Sequence, residues 1–131
     1  MPGYERGIWG MALILIIDDD IQVRVMLRKL FEREGYAVMD APDGVEGIRR
    51  YQENPADLVI ADLIMPNKEG IETIRELMAE FPEVKVIAIS GGGLNEPEPY
   101  LHIAEKLGVK HTFIKPIETR ELLEAVRELL G

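Results

Sequence analysis

Asp18, Asp19 and Asp20 follow one apolar run of the chain, Asp62 follows another, and Ser90 and Lys115 close two more. If folding gathers these groups, and Asp20 is set aside as a helix cap, three carboxylates, a hydroxyl and an ammonium meet in one place. Two carboxylates about 4 Å apart repel by roughly 4 kcal/mol at an effective dielectric near 20, so such a cluster calls for a cation. Hard oxygen ligands with room for water suit Mg²⁺, with Mn²⁺ as a substitute; Mg²⁺ takes one or two carboxylates plus phosphate oxygens. A phosphoryl group is then the natural remaining ligand, and its transfer asks for positioning and charge neutralisation more than for covalent chemistry. A carboxylate can also be the nucleophile. Asp62 is the candidate because it stands alone at a central strand end, whereas Asp18 and Asp19 form a pair. Ser90 and Lys115 would hold phosphoryl oxygens. Asp20 reads as a helix cap instead. Taken singly, each residue is a weak signal; their joint placement is the stronger one.

The elements that must position these residues follow from periodicity. Five short apolar runs, Leu13–Ile17, Tyr36–Met39, Leu58–Ala61, Val84–Ile89 and Val109–Ile114, alternate with amphipathic segments of helical length. Three of the runs are nearly continuous in aliphatic residues, the pattern of strands buried on both faces. The intervening segments carry helix punctuation. Ile21–Glu34 stops at Gly35. Asp43 with Glu46 three residues later forms a capping-box pattern, and Asn54-Pro55 ends that helix. Lys68–Glu80 stops before Pro82, Tyr100–Leu107 stops at Gly108, and Glu118–Leu130 ends the chain. Strand and helix alternating five times with short links predict a doubly wound α/β domain of flavodoxin-like type: a five-stranded parallel sheet of order 2-1-3-4-5 with five helices. Ligands of such sheets bind beyond the carboxyl ends of the strands, and the ends of strands one, three, four and five are where the candidate residues lie.

Bulk properties narrow the function classes. The 131 residues suit one domain, assigned to 11–131, and residues 1–10 read as a loosely ordered N-terminal extension without the apolar core of a signal peptide. A net charge of −9 argues against direct nucleic-acid binding. The absence of cysteine excludes disulfides and zinc-thiolate sites. No stretch approaches the roughly 20 apolar residues of a membrane span, so the cytoplasm is the expected location.

Over residues 11–131 the chain resembles the response-regulator receiver family of two-component signalling. The likeness rests on Ile16-Ile17-Asp18-Asp19-Asp20, on Asp62-Leu63-Ile64-Met65-Pro66 followed by Gly70, on Ile89-Ser90-Gly91, and on Ile114-Lys115-Pro116. The resemblance implies that Asp62 is the phosphoacceptor. It implies that Asp19 is the direct acidic Mg²⁺ ligand, that Asp18 reaches the metal mostly through water, and that the Ile64 backbone carbonyl is a further ligand. Ser90 matches the hydroxyl that moves toward the phosphoryl group. Lys115 matches the basic partner of the acceptor, and Pro116 matches the residue of a cis Lys-Pro bond that aims the lysine. A sensor histidine kinase or a phosphotransfer protein is the implied phosphodonor, and an unidentified protein is the downstream partner. The expected function is a phosphorylation-controlled switch without a fused output domain, in a chain that is either natural in this length or cut from a longer regulator; the resemblance implies that it catalyses only its own phosphorylation and slow dephosphorylation, so it is not classed as an enzyme.

Two features depart from the family pattern. The aromatic usual three residues before the lysine is Thr112 here, and the neighbouring Phe113 is expected on the opposite side of its strand. The stretch from Gly91 to Pro99 looks about three residues longer than the family norm, which places the start of the fourth helix late, near Pro99. His102 and His111 have no spaced partners and are expected in solvated or edge positions, and the methionines read as core filler. Two rival readings remain. One is a haloacid-dehalogenase-like phosphatase using the acid triplet; it is opposed by Gln22, by the lack of a later acidic motif and by the chain's length. The other is a receiver-like binding module with a silent site.

Overall fold

The computed structural model describes residues 11–63, 69–91 and 98–131; the side chains of residue 69 and of residues 98–101 are not described. The expectations for the 1–10 extension, for Ile64, Met65 and Pro66, and for the body of the 91–99 stretch fall wholly or largely outside these residues.

Ten elements alternate along the chain. They are Leu13–Ile17 (β1), Ile21–Arg33 (α1), Ala37–Ala41 (β2), Gly44–Glu53 (α2), Leu58–Asp62 (β3), Glu69–Glu80 (α3), Val86–Ser90 (β4), Glu98–Leu107 (α4), His111–Ile114 (β5) and Thr119–Leu130 (α5). All the strand pairs are parallel and the order is β2-β1-β3-β4-β5, the doubly wound arrangement that the alternation predicts. Successive strand side chains point to opposite faces, and the burial follows this rule. Leu13, Leu15, Ile17, Val59, Ala61, Val86 and Ala88 belong to one apolar cluster with Tyr51 of α2, Ile74 and Leu77 of α3, and Ala104 of α4. Ile14, Ile16, Leu58, Ile60, Ile87 and Ile89 belong to the other, with Leu27 and Phe31 of α1 and Leu122 and Val126 of α5. Both faces are thus covered, which is why β1, β3 and β4 read as unbroken apolar runs.

Several boundaries move from their sequence positions, each for a pairing reason. β2 extends to Ala41 because its ladder with β1 continues to Ile17 opposite Ala41. β4 begins at Val86 and takes in Ser90, which is registered with Ile114. β5 starts only at His111; Val109 instead donates its N–H to the Ala104 carbonyl at the end of α4. α4 begins at Glu98, close to the expected late start. Asp20 caps α1 as expected, its side chain accepting from the Gln22 N–H at 2.9 Å. Asp43 accepts from the Glu46 N–H, but the Glu46 carboxylate pairs with Arg49 instead. His102 is exposed. His111 is half-buried, with Nε2 3.6 Å from Glu128.

Candidate phosphoryl-transfer site

Four strands deliver the site, and backbone hydrogen bonds lock their ends together. The Asp18 N–H donates to the Ala41 carbonyl (3.1 Å), the Leu63 N–H to Ile89 (2.8 Å) and the Lys115 N–H to Ser90 (2.8 Å). Asp18 and Asp19 therefore leave β1, Asp62 ends β3, Ser90 ends β4 and Lys115 follows β5, all at the carboxyl edge of the sheet. Asp18 and Asp62 are only 2% and 3% exposed, which is unusual for carboxylates and demands partners. The Lys115 ammonium supplies one for each, with Nζ 3.1 Å from Asp18 Oδ2 and 3.1 Å from Asp62 Oδ2. Asp18 Oδ1 accepts from the Asp20 N–H at 2.8 Å.

Carboxylate oxygens of Asp18, Asp19 and Asp62 lie within 4.8 Å of one another, with Asp19 exposed and the other two buried. This all-oxygen donor set, open on the Asp19 side, fits a hard divalent cation that keeps part of its water. The electrostatics agree with that fit. Burial raises the Asp18 pKa above its ordinary value, and this outweighs the hydrogen bond from Asp20 and the pull of Lys115. An acid held charged in a dry place next to other acids is stabilised by a cation. For Lys115 burial alone disfavours the charge, but the Asp62 and Asp18 carboxylates outweigh it and hold the pKa above its ordinary value. The lysine is a fixed cation at neutral pH. Ser90 is fully buried and its Oγ has no hydrogen-bond partner, an arrangement that native interiors seldom leave unexplained.

The structure thus brings together Asp18, Asp19, Asp62, Ser90 and Lys115, and the Lys115–Pro116 peptide is cis. Asp20 caps α1 and is not part of the acid cluster. The proposed Ile64 carbonyl lies outside the described residues. Phe113 packs with the Ile87 and Ile89 cluster, while Thr112 is registered with Ala88 of the opposite cluster. The two residues occupy different faces, as the two-residue period requires.

Two contributors were not singled out by residue chemistry. Arg24 Nη1 donates to the Asp18 backbone carbonyl at 2.8 Å and so braces the acidic turn from the first turns of α1. Its position one helical turn after the Asp20 cap was the available signal. Gly70 packs so closely beneath the acceptor that a Cβ there would lie 2.2 Å from the Asp62 carbonyl oxygen and 2.5 Å from Leu63 Cα. Sequence carried that glycine only as part of a motif. The geometry shows why no side chain fits.

Comparison with known proteins agrees with the fold just described. The family described as the response regulator receiver domain matches residues 14–127. The chemotaxis protein CheY of Listeria monocytogenes is 31% identical over 119 residues, covering 90% of this chain and 98% of that protein. The CheY of Thermotoga maritima is 32% identical over 117 residues, covering 88% and 95%. A receiver domain structure from Clostridium thermocellum superposes with a TM-score of 0.83 at 30% identity, covering 91% of this chain and 94% of that one. With the match spanning nearly the whole sheet and all four strand ends that bear the site, the chain belongs to the response regulator receiver domain family of two-component signalling.

Proposed function

We propose that this receiver accepts a phosphoryl group on Asp62 from a phosphohistidine of a sensor histidine kinase or phosphotransfer protein, and loses it slowly to water. One observation carries the reading: a single ammonium, Lys115 Nζ, stands 3.1 Å from both buried acids, Asp18 and Asp62, with Asp19 completing the cluster. Asp18, Asp19 and Asp62 would hold one Mg²⁺ (or Mn²⁺), with the Ile64 carbonyl as the proposed fourth protein ligand. When bound, the ion neutralises charge on the phosphoryl oxygens. A carboxylate oxygen of Asp62 attacks phosphorus, the P–N bond to the donor imidazole breaks, and the electron pair leaves with the imidazole nitrogen. Lys115 neutralises phosphoryl charge, and the Ser90 hydroxyl, buried without a partner, donates to a phosphoryl oxygen. Attack of water on phosphorus later returns the Asp62 carboxylate and inorganic phosphate. Receivers are signalling switches rather than multiple-turnover enzymes, and the output here is carried by a protein partner.

Approach of a protein donor is supported by α1, which begins beside the acids. Ile21, Val25 and Met26 on its surface are 62%, 45% and 39% exposed, more apolar surface than a fully solvated helix face needs. A cytoplasmic location is part of the same proposal. Among the described residues no helix is long and apolar enough to cross a membrane.

Incubation with Mg²⁺ and acetyl phosphate, read by intact mass, tests the acceptor. One added phosphoryl group is expected, and none in Asp62→Asn. Uptake persisting in that variant would move the acceptor elsewhere. No uptake by the wild-type chain, together with no Mg²⁺ affinity, would mean a silent site.

A further inference from the structure

Resting on the reading of Asp18, Asp19 and Asp62 as Mg²⁺ ligands, we propose that Arg24 is a positioning residue that sets the affinity of the site for the ion, acting through the backbone of Asp18 rather than through its charge. Each polar group of Asp18 has a partner. The N–H donates to the Ala41 carbonyl at 3.1 Å, Oδ1 accepts from the Asp20 N–H at 2.8 Å, and Oδ2 faces Lys115 Nζ at 3.1 Å. The remaining group, the carbonyl, accepts from Arg24 Nη1 at 2.8 Å. Only Lys115 and Arg24 among these partners are side chains, and Lys115 belongs to the acid cluster itself. The carbonyl that Arg24 holds is part of the planar peptide unit joining Asp18 to Asp19. The contact therefore fixes the plane from which the Asp19 side chain departs.

That plane matters because Asp19 is exposed while Asp18 and Asp62 are buried. Packing holds the two buried carboxylates, whereas the placing of the third depends on its backbone. Mg²⁺ demands near-ideal octahedral geometry, so a turn that wanders costs affinity. Arg24 is well placed to prevent this. It belongs to the first turn of α1, its N–H donates to the Asp20 carbonyl at 3.1 Å, and its side chain is half-buried. The planar guanidinium gives the bond a fixed direction. The groups that govern the Asp18 proton are burial, the Asp20 N–H, Lys115 and Asp19, and Arg24 is not among them. Charge and position predict opposite signs. A guanidinium acting by charge repels a divalent cation, so its removal tightens Mg²⁺ binding. One acting by position favours the bound geometry, so its removal weakens binding.

Calorimetric titration of the full chain with Mg²⁺ reads that sign. The Mg²⁺ dissociation constant is expected to rise about tenfold in Arg24→Ala, the lower end of the usual loss when a residue that orients a metal ligand is removed. Arg24→Gln, which loses both reach and charge, reads the same way should Arg24→Ala not fold. Phosphoryl uptake from acetyl phosphate is expected to need more Mg²⁺ for half its maximal rate and to approach the wild-type rate at saturation. In EDTA the Asp18 carbonyl carbon resonance is expected to move upfield, the sign of a lost hydrogen bond to its oxygen. Unchanged or tighter Mg²⁺ binding by a folded variant would overturn the proposal. So would an unmoved Asp18 resonance, or a rate that stays low at saturating Mg²⁺ with the half-saturating concentration unchanged. Failure of the underlying reading shows differently, as a wild-type chain without Mg²⁺ affinity, and would overturn both.

Discussion

At the residue scale the site is a balance between burial and charge. The proposed metal role would require Asp18 as a carboxylate, yet the residue is almost wholly buried and burial raises its pKa. The folded state therefore binds the proton more tightly than the unfolded state. Without metal, the contribution of Asp18 to stability is fully present below its ordinary value of 3.8 and is lost as pH rises through the raised folded value, so the charged acid is a liability at neutral pH. Asp18→Asn should accordingly unfold at higher urea concentration than wild type in EDTA, while its Mg²⁺ affinity drops. A lower urea midpoint would mean that the Lys115 pairing outweighs burial. Lys115 is the opposite case, a cation favoured by its neighbours. Lys115→Met should slow phosphoryl uptake from acetyl phosphate by about 10²-fold, the usual loss when one charge-stabilising donor is removed from a transition state. Stopped-time mass measurements would check this, and an unchanged rate would remove Lys115 from the chemistry.

At the element scale the decisive contacts are backbone to backbone. α3 comes so close to the end of β3 that Gly70 leaves no room for a methyl group against Asp62 and Leu63. Since the obstructing atoms are backbone, they cannot swing aside. Gly70→Ala should destabilise the fold by about 3 kcal/mol, the upper part of the range for overpacking, and should impair uptake on Asp62 even where the protein stays folded. A urea midpoint within error of wild type would contradict the close approach. The turn after β4 is fixed similarly. Gly91 has a φ of +122°, and a Cβ there would lie 3.1 Å from the Lys115 nitrogen. The ends of β4 and β5 are thus held at a spacing that delivers the lysine, whatever the length of the stretch beyond.

At the scale of the whole molecule, the proposed metal binding would be linked to folding, because the acids that would hold the ion come from separate parts of the sequence and meet through the fold. Mg²⁺ at about 100 times its dissociation constant should stabilise the domain by about 2.7 kcal/mol. The unfolding temperature should rise by several degrees and return when EDTA is added, an effect that scanning calorimetry would read and that Asp19→Asn should weaken. Alkali acts through two other residues. Tyr51 is raised above its ordinary value of 10.0, first by burial and then by Asp57 and Glu83. Lys115 is raised above 10.5, where Asp62 and Asp18 override burial. In both, the folded form keeps its proton longer than the unfolded form, so their contributions are intact below about pH 10 and are lost as pH rises through the folded values. Urea midpoints of the metal-free protein should fall from about pH 10 upward, less steeply in Tyr51→Phe.

The order of elements, the parallel sheet and the residues that meet at its carboxyl edge were legible in the sequence by itself. Strands buried on both faces write continuous apolar runs, and a doubly wound sheet places whatever follows those runs at one edge. Asp18, Asp19, Asp62, Ser90 and Lys115 could be read in this way, as could the Asp20 cap. The tertiary structure alone decided what depends on distances between remote segments. Lys115 bridges two acids rather than one, Arg24 reaches back to the Asp18 carbonyl, and Ser90 Oγ is buried without a partner. The ends of β2, β4 and β5 were likewise set by the neighbouring strand rather than by local preference. Periodicity records which face a residue takes along its own element, whereas hydrogen bonds and ion pairs between elements depend on register and approach, which no local window of sequence contains.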